Sequence, residues 1–327
     1  MKIAAAVPVV GALALLLGAA APQPARRDLP NSFLPPNSMR IEVDAMGAGG
    51  ITHAQFDAVM DQMQAVYGPI IAARGGQLVI NRLWDDPTVN ASAERNGDQY
   101  VLNMYGGLAR HPAITQDGMM LVACHEMGHH LGGAPKFSGG DWASDEGEAD
   151  YFATSKCLHR MFADTATRVF TRSSDDNAVA RKACDASYKS RSDRAICYRT
   201  AMAGMSVTAL FTDLGGDPAA HFDTPDTSVV AQTDDSHPAS QCRLDTYFQG
   251  ALCTKSWKID MDDNDPAVGA CVASQGYTVG LRPRCWYKPP AGELRSEAVA
   301  SRAPLRTDAS PSAALSSLKG GRAFVGL

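Results

Sequence analysis

The stretch LVACHEMGHHLGG at residues 121–133 constrains this chain more than any other, because Cys124, His125, His129 and His130 crowd four metal-capable side chains into seven positions. An α-helix turns by about 100° per residue and returns to nearly the same face after four, so His125 and His129 share a face. His130 lies well around the helix from that pair, and Cys124 is displaced to the other side. Two of the four candidates can therefore hold one ion together, and the fold must bring the remaining donors from another element. Gly132, Gly133 and Pro135 end the helix. His130 is expected to bond carbonyls or carboxylates near the helix end. Cys124 stays open between a disulfide that braces this helix and a buried free thiol.

Glu126 stands beside the first histidine, close enough to reach a water polarised by the ion without binding the ion itself. His-Glu-x-x-His on a helix is the arrangement of zinc peptidases, in which the carboxylate takes a proton from that water. A catalytic zinc keeps three protein donors and an open position, so a third donor is needed. A histidine six residues after His129 is ruled out, because that position is Pro135. The segment SDEGEADYFAT offers Glu146 and Asp150, four apart on an expected helix that Ser144 or Asp145 can cap. Glu146 is the candidate third ligand, and Asp150 the acceptor for a ring N–H of a ligand histidine. Glu148 is expected to point away into solvent.

The remaining sequence decides whether this cluster sits in a real core. The chain has 327 residues, 45% of them apolar, enough for one large domain or two small ones. Its net charge of −5 offers no basic field for nucleic acid or an anionic membrane surface. Residues 1–21 read as an export signal, with Lys2, an apolar run and small residues near Ala20 and Ala21. No other segment approaches a membrane span. Residues 22–38 are Pro-rich and read as a linker, 39–288 as the catalytic domain, and 289–327 as a low-complexity, disordered tail. The expected class is α+β and mainly helical. A helix runs from a Thr52 cap to a Gly75 stop, two strands lie at QLVINRLW and YVLNMY around an Asn-Gly turn, and helices follow at 118–131, 146–162, 176–214 and 237–252.

Eight cysteines in an exported chain predict disulfides. Short-range pairing would join Cys184 with Cys197, Cys242 with Cys253, and Cys271 with Cys285. A cysteine zinc site lacks the paired spacings it needs.

Four segments, in order, give the chain a family likeness: NASAERNGDQYVLNMYGGL from Asn90, HEMGH, EGEAD, and HPASQCR from His237 to Arg243. Together they resemble the zinc metallopeptidases that include CAAX prenyl proteases, HtpX-like heat-shock proteases and the periplasmic barrel-assembly-enhancing protease. The resemblance implies a zincin-like domain of the glutamate-zincin kind, with a small sheet whose edge strand faces the cleft. It implies that Asn90, Ala91, Ser92 and Ala93 present unpaired backbone to an extended peptide. It also implies that His237 lies over the site, steadying an oxyanion or occupying zinc's open position, and that Arg243 supports the site through a carboxylate. Members of that family often insert membrane helices before the glutamate ligand. Here only the sixteen residues 130–145 separate the two motifs, too few for a membrane hairpin.

The expected function is zinc-dependent hydrolysis of extended or unfolded polypeptides outside the cytoplasm, with one catalytic Zn2+ held by His125, His129 and Glu146, and Glu126 as base and then acid. The alternative is an envelope chaperone or assembly factor whose zinc site is latched. Oligomeric state and natural substrate have no signature in the sequence.

Overall fold

A computed structural model describes residues 31–45, 49–138, 142–163, 177–215 and 217–293. The expected signal (1–21), the first part of the Pro-rich stretch (22–30) and the tail beyond 293 lie outside the described residues.

Helix α1 (His53–Ala73) starts where the sequence places it: Thr52 and Gln55 form a reciprocal capping box, and Gly75 leaves the helix at φ +80°. Strands β1 (Gln77–Leu83), β2 (Ala91–Asn96) and β3 (Gln99–Tyr105) form a sheet in the order β1-β3-β2. β1 runs parallel to β3, and β2 pairs antiparallel with it through a turn in which Gly97 takes φ +62°. β2 is thus an edge strand.

After the short α2 (Gly106–Arg110), helix α3 (Gln116–Leu131) carries the two motif histidines. It touches α1, the sheet, α4 (Glu146–Phe152), α5 (Leu158–Phe162) and α7 (Arg191–Gly215), and every residue from Asp117 to Leu131 is buried. A π-helical turn (Ala153–Cys157) joins α4 to α5. The stretch expected as helical over 176–214 is broken into α6 (Ala178–Ser187) and α7. Tyr188 between them is pulled out of helical geometry, its hydroxyl donating to Ala251 O and Cys253 O at 2.9 and 2.8 Å. Helix α8 (Ser240–Leu252) begins after His237 and Pro238, which stay outside it. No helix among the described residues is long and apolar enough to cross a membrane.

All eight cysteines are paired. Cys184–Cys197 forms as expected, but Cys242 pairs with Cys285 and Cys253 with Cys271. The cause is α8. Cys242 stands near its start and Cys253 caps its end, so eleven helical steps hold them about 16 Å apart, and a disulfide needs Cα atoms within about 7 Å. The remaining pair, Cys124–Cys157, resolves the open status of Cys124: it ties α3 to the π turn.

Within the expected linker, residues 32–34 are buried. Phe33 and Leu34 are fully buried in the main core with α1, α3 and α7, because a two-residue apolar pair flanked by prolines finds a cleft there. At the other end, Arg282 and Trp286, inside the expected domain, are buried.

The chain-entropy model assigns a loop of 33 residues a stabilisation of about 4 kcal/mol. Replacing Cys124 and Cys157 together by alanine is expected to lower the thermal midpoint by about 10 °C, read by calorimetry with chelator present so that metal loss does not contribute.

Candidate metal centre

Helix α3 alone presents His125 and His129 on one face, and α4 must approach closely to add Glu146. Two glycines permit this. A Cβ on Gly128 would meet Ala149 O of α4 at 2.7 Å, and one on Gly147 would meet the buried Trp286 ring at 2.2 Å. With both absent, His125 Nε2 lies 3.3 Å from Glu146 Oε2 and His129 Nε2 lies 3.7 Å from Oε1. Donor atoms of the three residues all fall within 4.8 Å of one another, so the group could hold a metal ion.

The hydrogen bonds behind the histidines fix which nitrogen faces inward. His129 Nδ1–H donates to Ser144 O at 2.8 Å; a carbonyl can only accept, so the hydrogen is on Nδ1 and the lone pair on Nε2. His125 Nδ1–H donates to Asp150 Oδ1 at 2.7 Å. Asp150 is an acceptor because burial, which opposes its charge, is outweighed by Arg243 and His125, and its carboxyl is held down at about 2. Arg243 grips it with both arms, Nε to Oδ2 at 2.8 Å and Nη2 to Oδ1 at 2.7 Å. Both imidazoles therefore offer Nε2 to the same point.

That point is short of partners. His125 Nε2, His129 Nε2, Glu146 Oε2 and both carboxylate oxygens of Glu126 are buried without a hydrogen bond. Native interiors leave few such groups unmet, so their convergence fits a cation with a carboxylate beside it. Burial pushes the Glu126 carboxyl well above the usual carboxylate range, the behaviour of a group poised to take up a proton.

His237 also reaches the site, with Nε2 3.5 Å from Glu146 Oε2. Its Nε2 is 2.6 Å from Ser32 O and must donate to that carbonyl, so in this arrangement it has no lone pair there for a metal. Asn90, Ala91, Ser92 and Ala93 lie at the outer edge of the sheet as expected. Their backbone is not unpaired, since residues 31–34 already bond to it.

Of two expectations about neighbours, that for Glu148 changes, while His130 meets a carbonyl as expected, one supplied by β3. Glu148 is not solvated: α4 is covered on its far side by residues 281–287, and Glu148 accepts from Arg282 Nη2 at 2.7 Å in full burial. His130 is buried, donates from Nε2 to Val101 O of β3 at 3.2 Å and stacks on Trp142. Ser144, expected only as a helix cap, orients His129 through its backbone, and Ser32, Phe33 and Phe211 on the covering side had no expected role. Ser144 acts through a main-chain carbonyl and carries no side-chain signature. Phe33 and Leu34 were legible only as an apolar pair in a Pro-rich run.

Compared with known proteins, the chain matches no family model, no curated protein and no solved structure. The site stands on its own geometry.

Asp150→Asn keeps the shape and removes the charge behind His125. It is expected to weaken metal binding by about 10–100-fold, measured by competition with a chromophoric chelator. Gly128→Ala is expected to act on the same readout by pushing α4, and Glu146 with it, away from the histidines.

Proposed function

We propose that the chain is a zinc-dependent metalloendopeptidase of the glutamate-zincin kind, akin to the prenyl-protease and HtpX-like family whose four motifs it resembles, and that it cleaves extended or unfolded polypeptides after export. The observation that carries this is the unpartnered, buried carboxylate of Glu126 beside three convergent buried donors. A structural metal site has no use for such a group. Two imidazoles and one carboxylate suit zinc, which accepts both donor types and leaves a position open when only three protein ligands are supplied. The four disulfides and the leader-like first 21 residues favour export.

Zinc held by His125, His129 and Glu146 would supply Lewis acidity toward water and toward a peptide carbonyl. The rest is work for the chain's own side chains. Glu126 takes the proton of the attacking water and returns it to the leaving amine. His237, donating from Nε2, steadies the charge that grows on the carbonyl oxygen. Asp150 and Ser144 hold the two histidines with Nε2 inward, and Arg243 keeps Asp150 ionised. Once residues 31–34 leave it, the edge of β2 aligns the peptide by main-chain hydrogen bonds.

Glu126→Gln is expected to retain one zinc per chain and to lose about 10²–10⁴ in kcat, measured by metal analysis beside chelator-sensitive cleavage of unfolded casein. A zinc-loaded Glu126→Gln protein that cleaved at the wild-type rate would sink the assignment. His237→Ala is expected to keep zinc and lower kcat by about 10²–10³. A rise in turnover would instead mark His237 as a latch. The full burial of His125, Glu126 and His129 favours, as a second reading, a chain-binding assembly factor with a closed metal site. Casein bound but never cut would select it.

A further inference from the structure

The outer edge of β2 is occupied by the chain itself. Residues 31–34 lie along it as a short antiparallel strand: Phe33 N–H donates to Ala91 O at 3.0 Å, Ala93 N–H donates to Asn31 O at 3.1 Å, and Ser32 stands opposite Ser92. The side chain of Asn90 fastens the end of this strand, accepting from Leu34 N–H at 2.9 Å and donating to Leu34 O at 3.1 Å.

Between two residues bonded to β2, the carbonyl of Ser32 turns the other way, as alternation in an antiparallel ladder requires. It turns into the metal centre. His237 donates to it at 2.6 Å, and the same nitrogen lies 3.5 Å from Glu146. The Phe33 ring then packs edge-on to His125 with centroids 5.0 Å apart, and lies 5.7 Å from Phe211. Arg243 covers it at 4.6 Å and donates from Nη1 to Phe33 O at 2.7 Å. A backbone carbonyl aimed at the donor beside a metal ligand, flanked by main-chain bonds to an edge strand, is how a polypeptide about to be cut would lie.

We propose that residues 31–34 are an internal substrate mimic. They fill the peptide groove in cis, with the bond between Ser32 and Phe33 in the place of the bond to be cut, and a substrate enters only by displacing them. This rests on the peptidase reading. It also names the substrate class, because the positions that the strand fills are those a substrate would fill. The preferred peptide carries a small residue on the carbonyl side of the cleaved bond and an aromatic one on the amine side, where His125, Phe211 and Arg243 form the pocket.

Displacement is local. Pro35 and Pro36 have no N–H to extend the ladder, and Asn31 takes φ +48° at the strand's start, so the pairing stops after a few residues. Beside the strand, a cavity of about 460 Å³ is walled by Pro35, Phe211, Leu214, His237 and Arg243.

The test compares zinc-loaded wild type and full-length Phe33→Asp on a fluorogenic peptide copying residues 29–36. A site that is open only part of the time shows apparent affinity reduced by the open fraction. The variant is therefore expected to raise kcat/KM by about tenfold or more, and mass spectrometry to place the cut between Ser and Phe. Equal rates in the two proteins, or a cut elsewhere in the peptide, overturn the mimic and leave the peptidase reading standing. No cleavage by either protein overturns both.

Because Phe33 is a core residue, a second measurement leaves it in place. Amide hydrogen exchange is followed in zinc-loaded Glu126→Gln protein with and without saturating amounts of the same peptide. The amides of Phe33 and Leu34 are expected to lose protection while Ala93 keeps it, since the peptide takes over its bond. Peptide bound with Phe33 and Leu34 still protected overturns the proposal.

Discussion

Asp150 is wholly buried and accepts hydrogen bonds from two directions, from the ring of His125 on α3 and from both arms of Arg243 on α8. Through Arg243 the connection continues to the carbonyl of Phe33. One carboxylate on α4 thus holds together the metal helix, the helix that follows His237 and the strand covering the site. Burying two charges is costly, and their attraction repays that cost only when every donor and acceptor is met. Here Nη1 of Arg243 donates to a carbonyl and three aromatic rings lie around its guanidinium. Removing either partner would leave an uncompensated buried charge, at about 3–5 kcal/mol. The pair is better understood as fixing geometry than as adding net stability, since it makes the imidazole of His125 present one nitrogen and not the other.

That role explains why α4, seven residues long, is buried on every side. A helix so short has little stability of its own. It is clamped by contact with α3 at Gly128, by the Trp286 ring over Gly147, and by the ion pair of Glu148 with Arg282. Disulfides secure the surroundings: Cys124–Cys157 ties α3 to the turn after α4, and Cys242–Cys285 ties α8 to the segment carrying Trp286. The segment 281–287 has no motif of its own, yet without it Glu146, the candidate third ligand, would stand on an exposed helix of about two turns.

The candidate site was legible in the sequence to the extent that its chemistry is local. Helical spacing gives His125 and His129 a common face, and the same spacing relates Glu146 to Asp150 on α4. The N-cap at Thr52 and the turn at Gly97 were equally visible, because each depends on neighbours within four residues. What could not be read were choices made across the fold. Cys242 looked nearest to Cys253 along the chain, but a rigid helix separates them. Glu148 looked solvated by its offset from Glu146, because nothing in its own helix announces Arg282, more than a hundred residues on. The Pro-rich run looked like a linker, since composition reports what prolines prevent and not where Phe33 can be buried.

The edge of β2 ties these points together. An uncovered edge strand is a hazard, since its unpaired N–H and C=O groups invite any extended chain to pair. Covering it with residues 31–34 meets that hazard with few hydrogen bonds, each worth only about 0.5–1.5 kcal/mol net. Burial of Phe33 and Leu34 adds about 1.5–3 kcal/mol for each side chain. Spontaneous opening is therefore uphill, because it exposes both side chains and strands the donors of Ala93, His237 and Arg243. Exchange is different. On the proposed peptidase reading, an incoming peptide with an aromatic residue at the right place would restore those same bonds and refill the same pocket. On that reading, the free energy that closes the groove against water and against poor partners would be returned only to a chain that resembles the strand it replaces. Closure and selectivity are then two consequences of one set of contacts.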